Sequence, residues 1–202
     1  MDGIYFYWFF WIAWIITTFF MPKTSHRYWL SFLLLLLIFS STTTIHLDSY
    51  AVNAAFLFAG LISYAYIGKS TVRLIFYSVF SSMIVSVIYV GVHFLILFDP
   101  VWLFFDRLYL ISFLLCALVL LLSKPLDLRL SILVSGLLNG EIGYALFVNG
   151  LAPGYIVGSF DLLDIVALSC MSVTVWWGYE SLVSIVKQQV DKPISHLKGK
   201  AQ

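Results

Sequence analysis

Charged side chains inside apolar segments are the residues of this chain most able to do chemistry. Glu141 lies within the apolar sequence that runs through Gly136 and Gly140, and Arg107 lies within another apolar segment. At a rise of about 1.5 Å per residue, each lies about 10 to 12 Å below the outer end of its predicted helix, and because the two helices are consecutive and antiparallel both reach the same depth. Because an unpaired charge in hydrocarbon costs several kcal/mol, we predict an ion pair between Glu141 and Arg107 that faces the bundle interior.

Other polar residues fall in the same third of the predicted membrane as this pair. We define the polar layer as the set Glu141, Arg107, Asp106, Asp164 and His93. It contains three acids and one fixed base, so a carboxyl carries a proton, His93 is charged, or the layer opens to water. Two interpretations remain open: a network that locks the helices together, and a proton- or cation-responsive cavity.

Metal and enzyme chemistry have weaker signals in this chain. His46 and His93 lie near acids, but the spacings typical of zinc sites and metalloproteases are missing. Ser135 lacks the glycine-rich setting and histidine partner of an intramembrane serine protease. We therefore predict no metal, no cofactor and no enzymatic activity.

The elements that position these residues are seven apolar segments. The chain has 202 residues, of which 62% are hydrophobic and 10% are charged, a composition outside the range of soluble domains. Each segment is long enough to cross a hydrocarbon layer of about 30 Å as a helix. We predict an all-α transmembrane bundle with helices at Ile4–Met21, Tyr28–Leu47, Tyr50–Ile67, Leu74–Phe98, Val101–Leu122, Leu130–Val148 and Phe160–Val186.

The basic residues are confined to every second gap between these segments. Only Arg107 departs from that pattern; the other ten are Lys23, Arg27, Lys69, Arg73, Lys124, Arg129, Lys187, Lys192, Lys198 and Lys200. Because short loops rich in Lys and Arg stay cytoplasmic, the pattern predicts an outside N-terminus and a cytoplasmic C-terminus. Residues 1–186 form a single transmembrane domain, and residues 187–202 form a basic tail that binds anionic lipids of the inner leaflet. We expect no nucleic-acid partner.

Acids lie at the opposite ends of the helices from the basic residues. Asp2, Asp48, Asp99 and Asp161 each stand at or near the start of a predicted helix. A carboxylate there accepts hydrogen bonds from free N–H groups and interacts favourably with the helix dipole. We predict that these four aspartates are helix caps.

Small residues recur at four-residue spacing in two of the segments. One set is Gly136 and Gly140 with Gly143 a turn further on, and the other is Ala51, Ala55 and Ala59. Small side chains allow transmembrane helices to approach closely. We predict that both stripes pack within the bundle, and the alternative is a homodimer seam.

The N-terminal helix carries a distinctive aromatic sequence. Its residues 3–14 read GIYFYWFFWIAW, and Thr17-Thr18-Phe19-Phe20-Met21-Pro22 follows. This beginning resembles that of the YphA-type family of small membrane proteins from Gram-positive spore formers. The resemblance implies a bacterial plasma membrane protein with no established biochemistry, and it assigns no functional residue.

Two functions of different class follow from these features. The missing catalytic motifs, the short loops and the small-residue stripes favour a non-enzymatic scaffold or accessory protein, with another membrane protein or a second copy as partner. The polar layer favours the alternative, a small carrier or channel. Both place the chain in the lipid bilayer of the plasma membrane as a multi-pass protein.

Overall fold

Seven helices make up most of the structure, a computed structural model that describes residues 3–47, 50–98, 106–151 and 154–198. They are α1 (Ile4–Ile15), α2 (Ser25–Ser40), α3 (Ala54–Gly68), α4 (Val72–Phe98), α5 (Arg107–Leu122), α6 (Leu126–Leu151) and α7 (Phe160–Lys198). A π-helical turn at Ile16–Phe20 continues α1. The predicted all-α class with seven helices is confirmed.

Three of the helices are long and apolar enough to cross a membrane. These spans are Val72–Phe98, Leu126–Gly150 and Phe160–Lys187. The other four helical segments are shorter and apolar: Ile4–Phe20, Ser25–Ser40, Ala54–Gly68 and Arg107–Leu122. The helices of the described residues are therefore apolar enough for a bilayer, but they differ in length.

Helix α6 lies at the centre of the bundle and contacts α3, α4, α5 and α7. Its side chains Ile132, Leu133 and Leu137 are fully buried in the main apolar core. Helix α7 packs in turn against α1 and α5, so α1 belongs to the periphery near a smaller core around Phe6. A central α6 means that any polar residue on its inner faces is remote from lipid.

The close contact between α4 and α6 depends on two glycines. A Cβ at Gly136 would lie 2.5 Å from Cβ of Val85, and one at Gly140 would lie 2.8 Å from the Tyr89 ring. At Gly143 the nearest atom would be 3.9 Å away. The tight part of the stripe is therefore the Gly136–Gly140 pair, which lies inside the bundle.

A small three-stranded sheet lies where α2 and α6 end and where α3 and α7 begin. Strand β1 (Thr44–Leu47) pairs antiparallel with β2 (Tyr50–Asn53), and β3 (Ile156–Val157) pairs parallel with β2. The predictions that helix 2 reaches Leu47 and that helix 3 begins at Tyr50 are therefore wrong. Ala51 lies on β2 rather than on a helix, while Ala55 is fully buried on α3 and Ala59 is half-buried.

Local hydrogen bonds explain why α2 stops before the sheet. Four consecutive residues each donate a hydrogen bond from the side-chain hydroxyl to the backbone carbonyl three residues earlier: Ser40, Ser41, Thr42 and Thr43. Such bonds offer the backbone an alternative to a continued helix. The Asn53 side chain then donates to the Ser41 carbonyl and accepts from the Ala55 amide, which starts α3.

Other helix ends also differ from the prediction. Helix α5 begins at Arg107 with Asp106 as its N-cap, and its predicted start at Val101 lies outside the described residues. Helix α6 begins at Leu126, and α7 continues through Lys198 into the predicted tail. Asp161 does lie in the first turn of α7. Asp2, Asp48 and Asp99 lie outside the described residues.

The α4–α6 contact yields a matched test of helix packing. Gly136→Ala should destabilise the protein by about 1–3 kcal/mol, because the new methyl group must displace Val85 or the Ser82 carbonyl. Gly143→Ala is the control, because it makes the same change in helix propensity with room for the methyl group. Thermal unfolding in detergent measures both, and equal unfolding temperatures would contradict the packing account.

Candidate functional site

The carboxylate of Glu141 is fully buried at the centre of the candidate site. Its Oε2 accepts a hydrogen bond of 2.7 Å from the hydroxyl of Tyr89 on α4. Its Oε1 accepts from the Tyr155 hydroxyl at 3.0 Å and from the Gly158 amide at 3.2 Å. One side chain of α6 therefore holds both α4 and the segment that leads into α7. We call these four residues the Glu141 cluster.

The backbone at Gly158 is shaped to reach this carboxylate. Its φ is +76°, a left-handed conformation that glycine adopts without steric cost. A Cβ there would lie 2.5 Å from Cβ of Phe56, so α3 blocks any larger residue. The neighbouring Val157 is buried and pairs with Val52 of β2. The sheet and α3 together place the Gly158 amide over Glu141.

The Tyr155 hydroxyl stays protonated and so remains a hydrogen-bond donor to this carboxylate. Burial, followed by the charge of Glu141, raises the pKa of Tyr155 well above the usual value of a phenol. The hydroxyl therefore keeps its proton at physiological pH. Its ring also contacts Tyr144 edge to face, with centroids 5.9 Å apart.

The predicted ion pair between Glu141 and Arg107 is wrong. Arg107 pairs with Asp161 of α7, and both side chains are partly exposed. The prediction counted depth from a helix start at Val101, whereas α5 begins at Arg107 itself. Arg107 is therefore the first residue of its helix. The groups that surround Glu141 are hydroxyl and amide donors instead.

The remaining acids of the polar layer contact helix N-termini. Asp164, which is 2% exposed, accepts hydrogen bonds of 2.8 Å from the amides of Gly3 and Phe6. It thereby joins the start of α1 to α7. Asp106 caps its own helix by accepting from the Leu108 amide at 3.0 Å. Such contacts satisfy N–H groups that lack intrahelical partners.

The two histidines considered as ligands, His93 and His46, have different environments. His93 is buried on α4, donates from Nδ1 to the Tyr89 carbonyl at 2.9 Å, and packs against the rings of Tyr89 and Tyr144. His46 is exposed on β1. Within the described residues, no three His, Cys, Asp or Glu side chains are grouped so that they could hold a metal ion.

A cavity of about 290 Å³ lies where α1, α5 and α7 begin. We call it the polar cavity. Leu108 and Ile165 supply its apolar lining, and Tyr5 of α1 contacts Tyr109 of α5 through their hydroxyls. Its polar lining consists of Tyr5, Asp106, Arg107, Asp161 and Asp164. The structure thus divides the predicted polar layer: three of its members line this cavity, Glu141 lies in its own cluster, and His93 bonds to the Tyr89 carbonyl.

A second ion pair, between a buried arginine and a partly exposed glutamate, lies towards the opposite end of α6. Arg129 has a side chain that is 3% exposed, and its guanidinium donates to both carboxylate oxygens of Glu180 at 3.0 and 3.4 Å. It also donates to the Ser123 carbonyl, and the Trp176 indole donates to Glu180. The charge pattern explains Arg129 by topology alone, although Glu180, an isolated acid in the second half of an apolar segment, signals a basic partner.

The three donors of the Glu141 cluster carry no recognisable signal in the sequence. Tyr89 and Tyr155 resemble the many other aromatic residues of the chain, so their type carries no specific signal. Gly158 follows Gly154 in a segment with Pro153, and that composition indicated a turn without indicating its ligand. Glu141 itself was recognisable because it is a carboxylate among apolar and glycine residues.

Comparison with known proteins agrees with a membrane role. The family described as YphA-like integral membrane proteins matches residues 2–200. The "Uncharacterized protein YphA" of Bacillus subtilis (strain 168) is 28% identical over 192 residues, which cover 94% of each chain. No solved structure matches the chain.

The Glu141 cluster predicts a local response to loss of the carboxylate. Glu141→Gln should lower stability by about 1–3 kcal/mol, because an amide NH₂ cannot accept from a tyrosine hydroxyl. In the same variant, hydrogen exchange at the Gly158 amide should be faster than in wild type, because this amide loses its acceptor or shares a weaker one. The control is Asp127→Asn, an exposed carboxylate in the first turn of the same helix. Unchanged hydrogen exchange at the Gly158 amide would contradict the proposal that its hydrogen bond to Glu141 holds this segment in place.

Proposed function

The chain belongs to the family of YphA-like integral membrane proteins, and from its own contacts we propose that it is a non-enzymatic scaffold or accessory protein of the plasma membrane. In this role the bundle presents a fixed surface to another membrane protein. Its N-terminus lies outside and its basic C-terminal tail binds anionic lipids on the cytoplasmic side. The confinement of basic residues to alternate gaps supports this orientation.

The observation that carries the proposal is that the acids inside the bundle form hydrogen bonds and an ion pair between helices. Glu141 accepts three hydrogen bonds that join α6 to α4 and to the α6–α7 segment. Asp164 joins α7 to α1, and Arg129 joins α6 to α7 through Glu180. Acids that hold helices together are less free to move protons or substrate. This supports a rigid bundle more than a moving carrier.

The surface most suited to a partner lies on α4. Of the three spanning helices it has the smallest buried share, 28% of its most apolar window. An apolar groove of about 310 Å³ runs along it, lined by Phe80, Met83, Ile84, Val87 and Ile88. Its apolar lining suits contact with the side chains of a transmembrane helix of a partner protein.

Photo-crosslinking in native membranes tests this role. A photoreactive phenylalanine analogue at Phe80 should give a discrete heavier product, because a partner helix would lie in the groove. The same analogue at Leu121, which is 87% exposed on α5, is the matched lipid-facing control and should give no discrete product. Gel electrophoresis and mass spectrometry identify the adducts.

The mass of the crosslinked product identifies the partner. A product of twice the chain mass identifies a second copy as the partner, and a product of another mass identifies a different protein. Failure to obtain a discrete product at Phe80 contradicts the docking surface on α4.

The polar cavity supports a second candidate function, a small carrier or channel for protons or cations. It is lined by three aspartates and one arginine, and the Arg107–Asp161 pair is partly exposed. Exposed pairs are weak, typically below about 1 kcal/mol, so water and ions can compete for these groups. The cavity therefore provides an entry site that the buried Glu141 does not.

Flux measurements decide on this second function. Wild-type protein in liposomes should carry protons or cations faster than empty liposomes, and Asp161→Asn should reduce the rate at least about tenfold, because it removes a cavity charge. Asp127→Asn, at the other end of α6, should retain the wild-type rate. Wild-type traces equal to empty liposomes would exclude the carrier function.

A further inference from the structure

Two neighbouring helices, α3 and α6, together present an apolar face that is open to lipid. Exposed or half-buried side chains follow one another by three or four residues on both helices. That spacing places side chains on one side of a helix and is typical of helix–helix seams. We define the α3–α6 face by six residues: Leu57, Leu61 and Tyr64 of α3, and Asn139, Ile142 and Leu146 of α6.

Contacts between α3 and α6 make this face one continuous surface. The Ser63 hydroxyl donates to the Ser131 carbonyl at 2.8 Å. At Gly60 a Cβ would lie 3.2 Å from the side chain of Leu138, so the helices approach closely there. On the face itself, the Tyr64 hydroxyl donates to Asn139 Oδ1 at 2.6 Å. The two helices therefore offer a partner a fixed arrangement of side chains.

The amide of Asn139 lies deep in the membrane with unused hydrogen-bonding groups. Asn139 is near the middle of the span Leu126–Gly150, more than about 15 Å from either end at about 1.5 Å per residue. It is half-buried, and its amide nitrogen donates to no group among the described residues. Lipid tails offer no acceptor, and an unsatisfied polar group in hydrocarbon costs several kcal/mol. A protein partner on this face can supply the missing acceptor.

The chemistry of the amide favours a second copy of this chain as that partner. A side-chain amide has two N–H donors and an oxygen with two lone pairs, of which Tyr64 occupies one at Asn139. The group is therefore complementary to itself. Copies inserted in one orientation are related by an axis along the membrane normal, so a residue near the axis meets its equivalent at the same depth. A different protein would need its own polar side chain at that depth.

From this arrangement we propose that a second copy of this chain docks on the α3–α6 face, with the two Asn139 amides exchanging a reciprocal pair of hydrogen bonds. In each bond Nδ2 of one copy donates to Oδ1 of the other. The exposed side chains of Leu61 and Leu146 pack around the amides and exclude lipid. No residue of this face lines the α4 groove, so the dimer leaves that groove available to another protein.

Energy transfer between donor-labelled and acceptor-labelled full-length chains in liposomes measures the dimer. Transfer should fall as lipid is added, and Asn139→Leu should raise the dissociation constant at least about tenfold, because it removes both hydrogen bonds at nearly constant side-chain volume. Tyr64→Phe is the matched control. It removes the partner of Asn139 within the chain and retains the amide, so its dissociation constant should not exceed that of wild type.

Photo-crosslinking in native membranes identifies the occupant of the face even if Asn139→Leu fails to fold. A photoreactive phenylalanine analogue at Leu146 should give a product of twice the chain mass. The same analogue at Leu121, which is exposed on α5, should give no discrete product.

Each result decides on the dimer. Dilutable energy transfer that Asn139→Leu weakens and Tyr64→Phe retains, with a doubled mass from Leu146, supports it. Wild-type transfer no higher than that of non-associating chains contradicts it, and so does an unchanged dissociation constant in Asn139→Leu. A product at Leu146 with the mass of another protein also contradicts it. The scaffold proposal is tested separately at Phe80, so either proposal can fail alone.

Discussion

A fully buried carboxylate has to be surrounded by hydrogen-bond donors, and that requirement organises this bundle. Glu141 has no solvent contact, and removal of its charge from water would be unfavourable by several kcal/mol without compensation. Three donors from two directions provide the compensation: Tyr89 of α4, and Tyr155 and Gly158 beyond the end of α6. The carboxylate therefore favours one arrangement of these elements over alternatives that leave it without donors.

Several features of the fold follow from this arrangement. The Tyr89 side chain reaches Glu141 because Gly140 allows α4 to approach α6 closely. The segment before α7 folds back over the bundle, and β3 joins β2 in a sheet that holds it there. Gly158 is required for its positive φ and for its contact with Phe56. Packing, backbone conformation and hydrogen bonding therefore converge on one side chain.

The sequence predicted the large elements better than the contacts between them. Apolar segments of about 20 residues indicate helices, but hydropathy does not distinguish a short apolar strand from a helix end, so residues 44–47 and 50–53 were misassigned. Glu141 was identified because charge is rare inside such segments. Its partner was not, because the depth of Arg107 depended on where α5 begins. Tyrosines are common here and gave no warning of their role.

A double-mutant cycle between Tyr89 and Glu141 tests most directly whether this carboxylate organises the bundle. The free energy of unfolding would be measured for wild type, Tyr89→Phe, Glu141→Gln and the double variant in the same detergent. The account predicts a coupling energy of about 1 kcal/mol or more, since the 2.7 Å hydrogen bond is lost in either single variant. Additive effects, with a coupling energy within about 0.3 kcal/mol of zero, would contradict it.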